Sequence, residues 1–157
     1  MDIYFFGTFN CKADAKGRIM LPVMLRNQMT PILNDGFFIK KSYYSECLEL
    51  YPAQEWYKVN AELGEASRFD EEAQAFKRMF MNGLSPANVD TTGRLLIPKD
   101  VITTAGITKE VKVVSMGERL EIWDLDTYEA AISASVEEKK ELAKRVMLKG
   151  KSKGDVS

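Results

Sequence analysis

The chain contains one nine-residue pattern twice, and this duplication constrains its fold more than any other feature. Residues 14–22 read DAKGRIMLP and residues 90–98 read DTTGRLLIP, so aspartate, glycine, arginine and proline recur at an offset of 76 residues. A second pair of blocks follows in the same order, because LELY at 48–51 resembles LEIW at 120–123. Two matching blocks in one order indicate an internal duplication, in which each half of the 157-residue chain is a structural unit.

Each half has the pattern of a small β-rich unit. The strands predicted from β-branched and apolar runs between turn residues are 8–12, 18–21, 37–40, 48–51, 111–114 and 120–123. Short helices are predicted over 22–29 and 99–105, and Gly106 is expected to end the second of them. Neither half is large enough to bury a good core alone. We therefore expect a mainly β (α+β) fold, in which both halves form one pseudo-twofold barrel flanked by helices.

Longer amphipathic helices are predicted after each strand set. Apolar residues with helical spacing occur at Phe69, Ala73, Phe76 and Phe80, at Tyr128, Ile132 and Val136, and at Leu142 and Val146. Asn82 and Gly83 are expected to end the first of these segments. The phenylalanines and methionines are expected to lie in the core rather than to contact a cofactor.

These patterns divide the chain into five segments. They are a first repeat over 5–53, connecting helices over 54–82, a second repeat over 83–126, a C-terminal helix over 127–150 and a disordered tail over 151–157.

Composition excludes several classes of function. The chain has no histidine, which removes histidine-based catalysis and histidine zinc sites, and its two cysteines, Cys11 and Cys47, form no CxxC pair. Asp14, Asp90 and Lys16 could carry out acid–base chemistry, but no phosphate-binding glycine loop or metal-spaced cluster accompanies them. No apolar run approaches the roughly 18 residues that a membrane span needs. We expect a cytoplasmic, non-enzymatic protein with no metal, cofactor, small-molecule substrate or membrane partner.

The repeated turn contains one residue that turn geometry does not explain. An aspartate that opens a turn accepts backbone N–H bonds, and a glycine near its end supplies positive φ, which accounts for Asp14, Gly17, Asp90 and Gly93. Turn geometry does not require the arginines that follow each glycine, Arg18 and Arg94.

Nucleic acid is the ligand that two such arginines favour. A two-stranded ribbon fits the major groove, and the arginine fork is the best reader of guanine O6 and N7. Asp14 and Asp90 would organise each turn or hold the fork of its arginine. Lys16, which Thr92 replaces in the second copy, is the expected phosphate contact.

Net charge limits how one copy of the chain could bind DNA. Lysine and arginine total 22 against 23 acidic residues, so a monomer would release few counterions and bind weakly. Assembly of several protomers along repeated DNA elements would raise the avidity by about 10²–10⁴. A ring that binds another protein through its arginine turns, without DNA, is the alternative, and it predicts no salt-dependent DNA affinity.

The motifs resemble those of the MraZ family of bacterial regulators. The resemblance rests on FGTF at 6–9, on DAKGRIMLP and DTTGRLLIP, and on LEIW at 120–123, and it covers nearly all of the chain from residue 5 to about residue 143. It implies a tandem swapped-hairpin (AbrB-like) barrel in one chain. It also implies a ring-shaped, octamer-like homo-oligomer, associated with the nucleoid, that binds direct promoter repeats and represses its own operon in the division and cell-wall cluster. The implied DNA contacts fall on Asp14 to Arg18 and on Asp90 to Arg94, with both arginines as the principal ones.

Overall fold

The computed structural model describes residues 3–65 and 68–155, with side chains to residue 151. Eight strands are present: β1 Thr8–Lys12, β2 Arg18–Met20, β3 Phe37–Lys41, β4 Leu48–Pro52, β5 Ser85–Val89, β6 Arg94–Leu96, β7 Glu110–Ser115 and β8 Leu120–Asp124. The helices are α1 Val23–Met29, α2 Ala53–Gly64, α3 Glu71–Phe80, α4 Lys99–Thr104, α5 Leu125–Ile132 and α6 Val136–Asp155. A 3-10 helix, Thr30–Asp35, connects α1 to β3.

The strands form one antiparallel, nearly closed barrel in which the two halves exchange partners. The spatial order is β1-β7-β8-β4-β3-β5-β6-β2, and a bridge between Ala13 and Ile19 brings the two outer strands together. The first strand of each half pairs with the third strand of the other half, as β1 with β7 and β5 with β3. This exchange confirms the predicted tandem swapped-hairpin barrel.

Strand register places the pseudo-twofold axis. Ile19 pairs with Leu95, its equivalent in the second repeat, and Glu49 pairs with Glu121, its equivalent in the repeated LELY and LEIW blocks. Equivalent residues face each other only where the axis crosses the sheet. The axis therefore crosses the barrel at the β2–β6 pair and at the β4–β8 pair, which are its two poles.

Alternation along the strands builds a single core. In β2 and β6 the middle residues, Ile19 and Leu95, point inward and are fully buried, while their neighbours point outward. Strands β4 and β8 are buried on both faces, since helices cover their outer side. Leu25 of α1 and Ile102 of α4 complete the core at the barrel ends.

The first long helix begins later than its apolar spacing predicts. The Asp70 carboxylate accepts the backbone N–H groups of Glu72 and Ala73, at 3.0 and 3.5 Å, and so caps α3 at its N-terminus. Phe69 therefore precedes the helix and is 91% exposed, which corrects the four-residue stripe. Phe76 and Phe80 remain on α3 and contact Tyr43.

The C-terminal segment forms two helices where 127–150 was expected to form one. The backbone is extended at Ser133, which ends α5. The Ser135 hydroxyl then accepts the Glu138 N–H at 3.1 Å and caps a separate helix, α6. Helix α6 extends through residues 151–155, which belong to the segment 151–157 that was expected to be a disordered tail. Residues 156 and 157 lie outside the described part of the chain.

The expected burial of phenylalanine and methionine holds for only some of these residues. Phe5, Phe37 and Met29 are buried in the core. The exposed members are Phe6, Phe69, Met20, Met24, Met79, Met116 and Met147. Four of them, Met20, Met24, Met79 and Met147, lie on the outer faces of strands or helices, and the other three lie in connecting segments. No helix in the described part of the chain is long and apolar enough to cross a membrane.

Candidate nucleic-acid interface

The two repeated arginines lie side by side on the outer face of the β2–β6 ribbon. Arg18 pairs with Leu96 and Arg94 pairs with Met20, so the arginines are diagonal neighbours across the two strands. Such diagonal positions are about 7–8 Å apart. The pseudo-twofold axis passes between them, and the ribbon presents both guanidinium groups on one side of the molecule.

The first turn holds Arg18 through a single aspartate. One oxygen of Asp14, Oδ1, accepts the backbone N–H groups of Lys16 and Arg18, both at 2.9 Å. The other oxygen, Oδ2, accepts a bond from Arg18 Nε at 2.6 Å. The turn and the arginine side chain are thus positioned by one carboxylate.

The second turn repeats this arrangement atom for atom. Asp90 Oδ1 accepts the backbone N–H groups of Thr92 and Arg94, at 3.0 and 2.8 Å, and Oδ2 accepts Arg94 Nε at 2.8 Å. The Thr92 hydroxyl adds a bond to Oδ1 at 2.8 Å, where the first turn has the exposed Lys16. Because each aspartate engages Nε, the terminal Nη groups remain suited to a second acceptor.

The glycines permit this turn and its close packing. Gly17 has φ of +81° and Gly93 has φ of +89°, a region that strains any residue with a Cβ. A Cβ on Gly17 would lie 2.9 Å from the Ile97 carbonyl oxygen, and one on Gly93 would collide with the Arg26 side chain. Both glycines are therefore required by the backbone, whatever the arginines do.

Hydrogen bonding keeps both aspartates ionised. The pKa of Asp90 is lowered from 3.8 to about 2, chiefly by the bond from the Arg94 backbone N–H, with Thr92 and the Arg94 side chain adding to it. The pKa of Asp14 is lowered in the same way, chiefly by the Arg18 backbone N–H. Both ion pairs are therefore charged at neutral pH, and each arginine side chain is 33% exposed.

Four further residues near this ribbon were not singled out by the motif. Met20 and Leu96 share the outer face with the two arginines, and Asn88 of β5 pairs with Leu96. The period of two in a strand could have identified Met20, because it lies two residues after Arg18. Arg26 of α1 packs behind the second turn, and its Nε is buried with no hydrogen-bond partner among the described residues.

A shallow depression joins several of these side chains on one surface. Its lining includes Lys16, Arg18, Asn88 and Leu96, together with Pro86 and Pro98. The depression is open rather than enclosed, which suits contact with an extended ligand better than capture of a small molecule.

A second cluster of charged side chains lies at the opposite pole of the barrel. The cross-strand pair Glu49 and Glu121 is buried, and the two side chains accept bonds from Tyr51 and Trp123 at 3.0 Å each. Lys40 lies 3.1 Å from Glu49, and Arg119 lies 3.3 Å from Glu49 and 3.6 Å from Glu121. Arg119 also pairs with the Glu118 carboxylate at 2.6 Å, so two cations and three carboxylates form one ion-pair network.

Metal and thiol chemistry find no support in the described residues. No group of three or more histidine, cysteine, aspartate or glutamate side chains in this part of the chain could hold a metal ion. Burial raises the pKa of Cys11 to about 11, and burial followed by the nearby Glu121 raises that of Cys47 to about 12. Both thiols are therefore protonated and shielded at neutral pH.

Comparison with known proteins gives one consistent family. The family model of the MraZ protein matches residues 4–79 and again residues 79–150. The transcriptional regulator MraZ of Christiangramia forsetii is 43% identical over 145 residues, which is 92% of this chain and 94% of the relative. The regulators of the same name from Flavobacterium psychrophilum (43%, covering 90% of each chain) and Cytophaga hutchinsonii (33%, covering 92% and 95%) are also similar.

Proposed function

Because the chain belongs to the MraZ family, we propose that it is a transcriptional regulator that binds promoter DNA through its two Asp-x-x-x-Arg turns. The observation that carries this proposal is the adjacency of Arg18 and Arg94 on the outer face of β2–β6. The relatives are named as transcriptional regulators, which supports a role in transcription, and the β2–β6 ribbon offers a surface suited to DNA.

The ribbon is suited to the major groove. That groove is about 12 Å wide and accepts a two-stranded β-ribbon, with arginine donating two bonds to guanine O6 and N7. Asp14 and Asp90 restrict each guanidinium before DNA arrives, which reduces the rotamer entropy lost on binding. Lys16 would contact phosphate beside the first turn. Gly17 and Gly93 are buried, so they would serve DNA binding by shaping the two turns.

Binding by a single protomer would be weak, because two arginines and one lysine neutralise few phosphates. We propose a ring-shaped, octamer-like homo-oligomer that places several ribbons on direct repeats in the promoter. Such a protein would act in the cytoplasm at the nucleoid and repress its own operon in the division and cell-wall cluster. The exposed helix α6 supports assembly, since every described side chain from residue 129 to residue 151 is exposed.

The test is binding to the DNA upstream of the protein's own gene. We expect Arg18→Ala and Arg94→Ala each to remove about 1–3 kcal/mol per engaged protomer, which over several protomers abolishes a gel shift. Size-exclusion profiles should stay unchanged, because both side chains lie on the surface. Arg78→Ala is the matched control, since this exposed arginine lies on α3, the helix that covers the opposite pole.

Two results would contradict the proposal. Wild-type affinity in either arginine variant would remove the assigned role from that arginine. DNA affinity without a steep salt dependence would favour the alternative, a ring-forming protein–protein scaffold, because counterion release requires a slope of about −0.9 per neutralised phosphate.

A further inference from the structure

Two apolar side chains, Met20 and Leu96, share the outer face of the ribbon with the two arginines. Met20 is 50% exposed and Leu96 is 37% exposed, although both belong to the strands that form the barrel wall. Their strand neighbours Ile19 and Leu95 point inward and are fully buried. The core therefore gains nothing from an apolar residue at either outward position, where a polar side chain would be better solvated.

The register places each apolar side chain directly beside an arginine. Met20 faces Arg94 across the ribbon, and Leu96 faces Arg18. Residues opposite each other on one face have Cβ atoms about 4.5–5.5 Å apart. The outer face thus carries two pairs of side chains, each with one guanidinium group and one apolar group, and the pseudo-twofold axis relates one pair to the other.

This pattern fits one feature of the major groove. The thymine C5 methyl is the apolar group that the groove presents, and it lies among the donors and acceptors that arginine reads. A protein partner would need a larger apolar patch, because stable interfaces bury about 800 Å² on each side. Two single apolar groups, each next to an arginine, fit a base edge better.

On the premise of the proposed function, we infer that Met20 and Leu96 are specificity-determining residues that contact thymine methyl groups next to the guanines read by Arg94 and Arg18. The site therefore discriminates between thymine and other bases at two positions related by the pseudo-twofold axis. The arginines alone would not discriminate between bases at those two positions.

The experiment removes each side of the contact in turn: the thymine methyl group of the DNA, or the apolar side chain of the protein. Duplexes from the region upstream of the protein's own gene are prepared with thymine or with uracil, which differs from it only by lacking the C5 methyl. Wild-type protein should bind the uracil duplex about fourfold more weakly for each methyl contacted in each protomer. Met20→Ala and Leu96→Ala should weaken binding to the thymine duplex and lose part of the difference between the duplexes, and the double variant should lose all of it.

The matched control is Met79→Ala, which truncates an exposed methionine on α3. It should retain the full thymine preference. Equal binding of wild-type protein to both duplexes, or an undiminished thymine preference in the double variant, would overturn this inference and leave the proposed function standing. Absence of binding to either duplex would overturn both.

Discussion

A single aspartate in each repeat performs two tasks. Its Oδ1 closes the turn through two backbone N–H groups, and its Oδ2 holds the arginine at the start of the next strand. Asp14 and Arg18 are four residues apart because the turn between them brings the two side chains together. The copies differ at Lys16 and Thr92, so the two halves of the site carry unequal charge.

The lowered pKa of Asp90 makes the second turn sensitive to acid. Its folded-state pKa of about 2 lies below the ordinary 3.8, so the carboxylate contributes stability that is present above about pH 4 and is lost as the pH falls toward 2. Urea midpoints measured across this range should fall less steeply for Asp90→Asn than for the wild type. Asp35→Asn, at an exposed aspartate, should keep the wild-type slope, and equal slopes for all three proteins would contradict the role given to Asp90.

At the scale of elements, the two strand pairs on the axis have opposite characters. The β2–β6 pair keeps its charged residues on a solvent-facing surface, whereas the β4–β8 pair buries Glu49 against Glu121 beneath helices. Like charges placed directly opposite each other destabilise a sheet unless a cation joins them. Arg119, at the end of the β7–β8 turn, lies close to both carboxylates.

Removal of Arg119 should therefore destabilise the barrel. Arg119→Met leaves two buried carboxylates with Lys40 as the remaining nearby cation, and we expect a loss of about 3 kcal/mol in the free energy of unfolding. Glu121→Gln in the same chain should recover part of that loss, because it removes the excess negative charge. Chemical denaturation of both variants tests this expectation, with the exposed Arg78→Met as control. A loss within about 0.5 kcal/mol, as at ordinary surface positions, would show that the network is not strongly coupled.

Sequence patterns predicted the elements around the turns better than those around the long helices. Each predicted strand was found, because alternation and turn residues are local properties of the chain. The start of α3 was mispredicted because the Asp70 cap excludes Phe69 from the apolar stripe. The break at residues 133–135 was missed for the same reason, since Ser135 caps a new helix.

At the scale of the whole molecule, α6 is the element whose stability is least explained by the single chain. A helix of 20 residues is about 30 Å long, yet its apolar residues Leu142 and Val146 are exposed. Most helical stability in proteins comes from packing of an apolar face. In the proposed ring, a second copy of the chain supplies that packing.

Polar substitution on this face should disrupt the assembly. Leu142→Asp with Val146→Asp should shift the protein toward monomer in light-scattering measurements and weaken DNA binding through lost avidity, with no loss of barrel stability. Lys140→Gln with Lys144→Gln changes the charge equally on the opposite side of α6 and should leave the assembly intact. An assembly that survives the aspartate substitutions would place the interface elsewhere.

The sequence by itself determined the duplicated turns, the strands that flank the first of them and the membership of Asp14, Arg18, Asp90 and Arg94 in one repeated motif. These properties depend on spacing along the chain. Only the tertiary structure decided that β2 pairs with β6, since this pairing joins residues 76 apart and depends on how the two halves share one core. That pairing brings Arg18 beside Arg94 and places Met20 opposite Arg94 and Leu96 opposite Arg18, because neighbours across a sheet are set by register rather than by sequence distance.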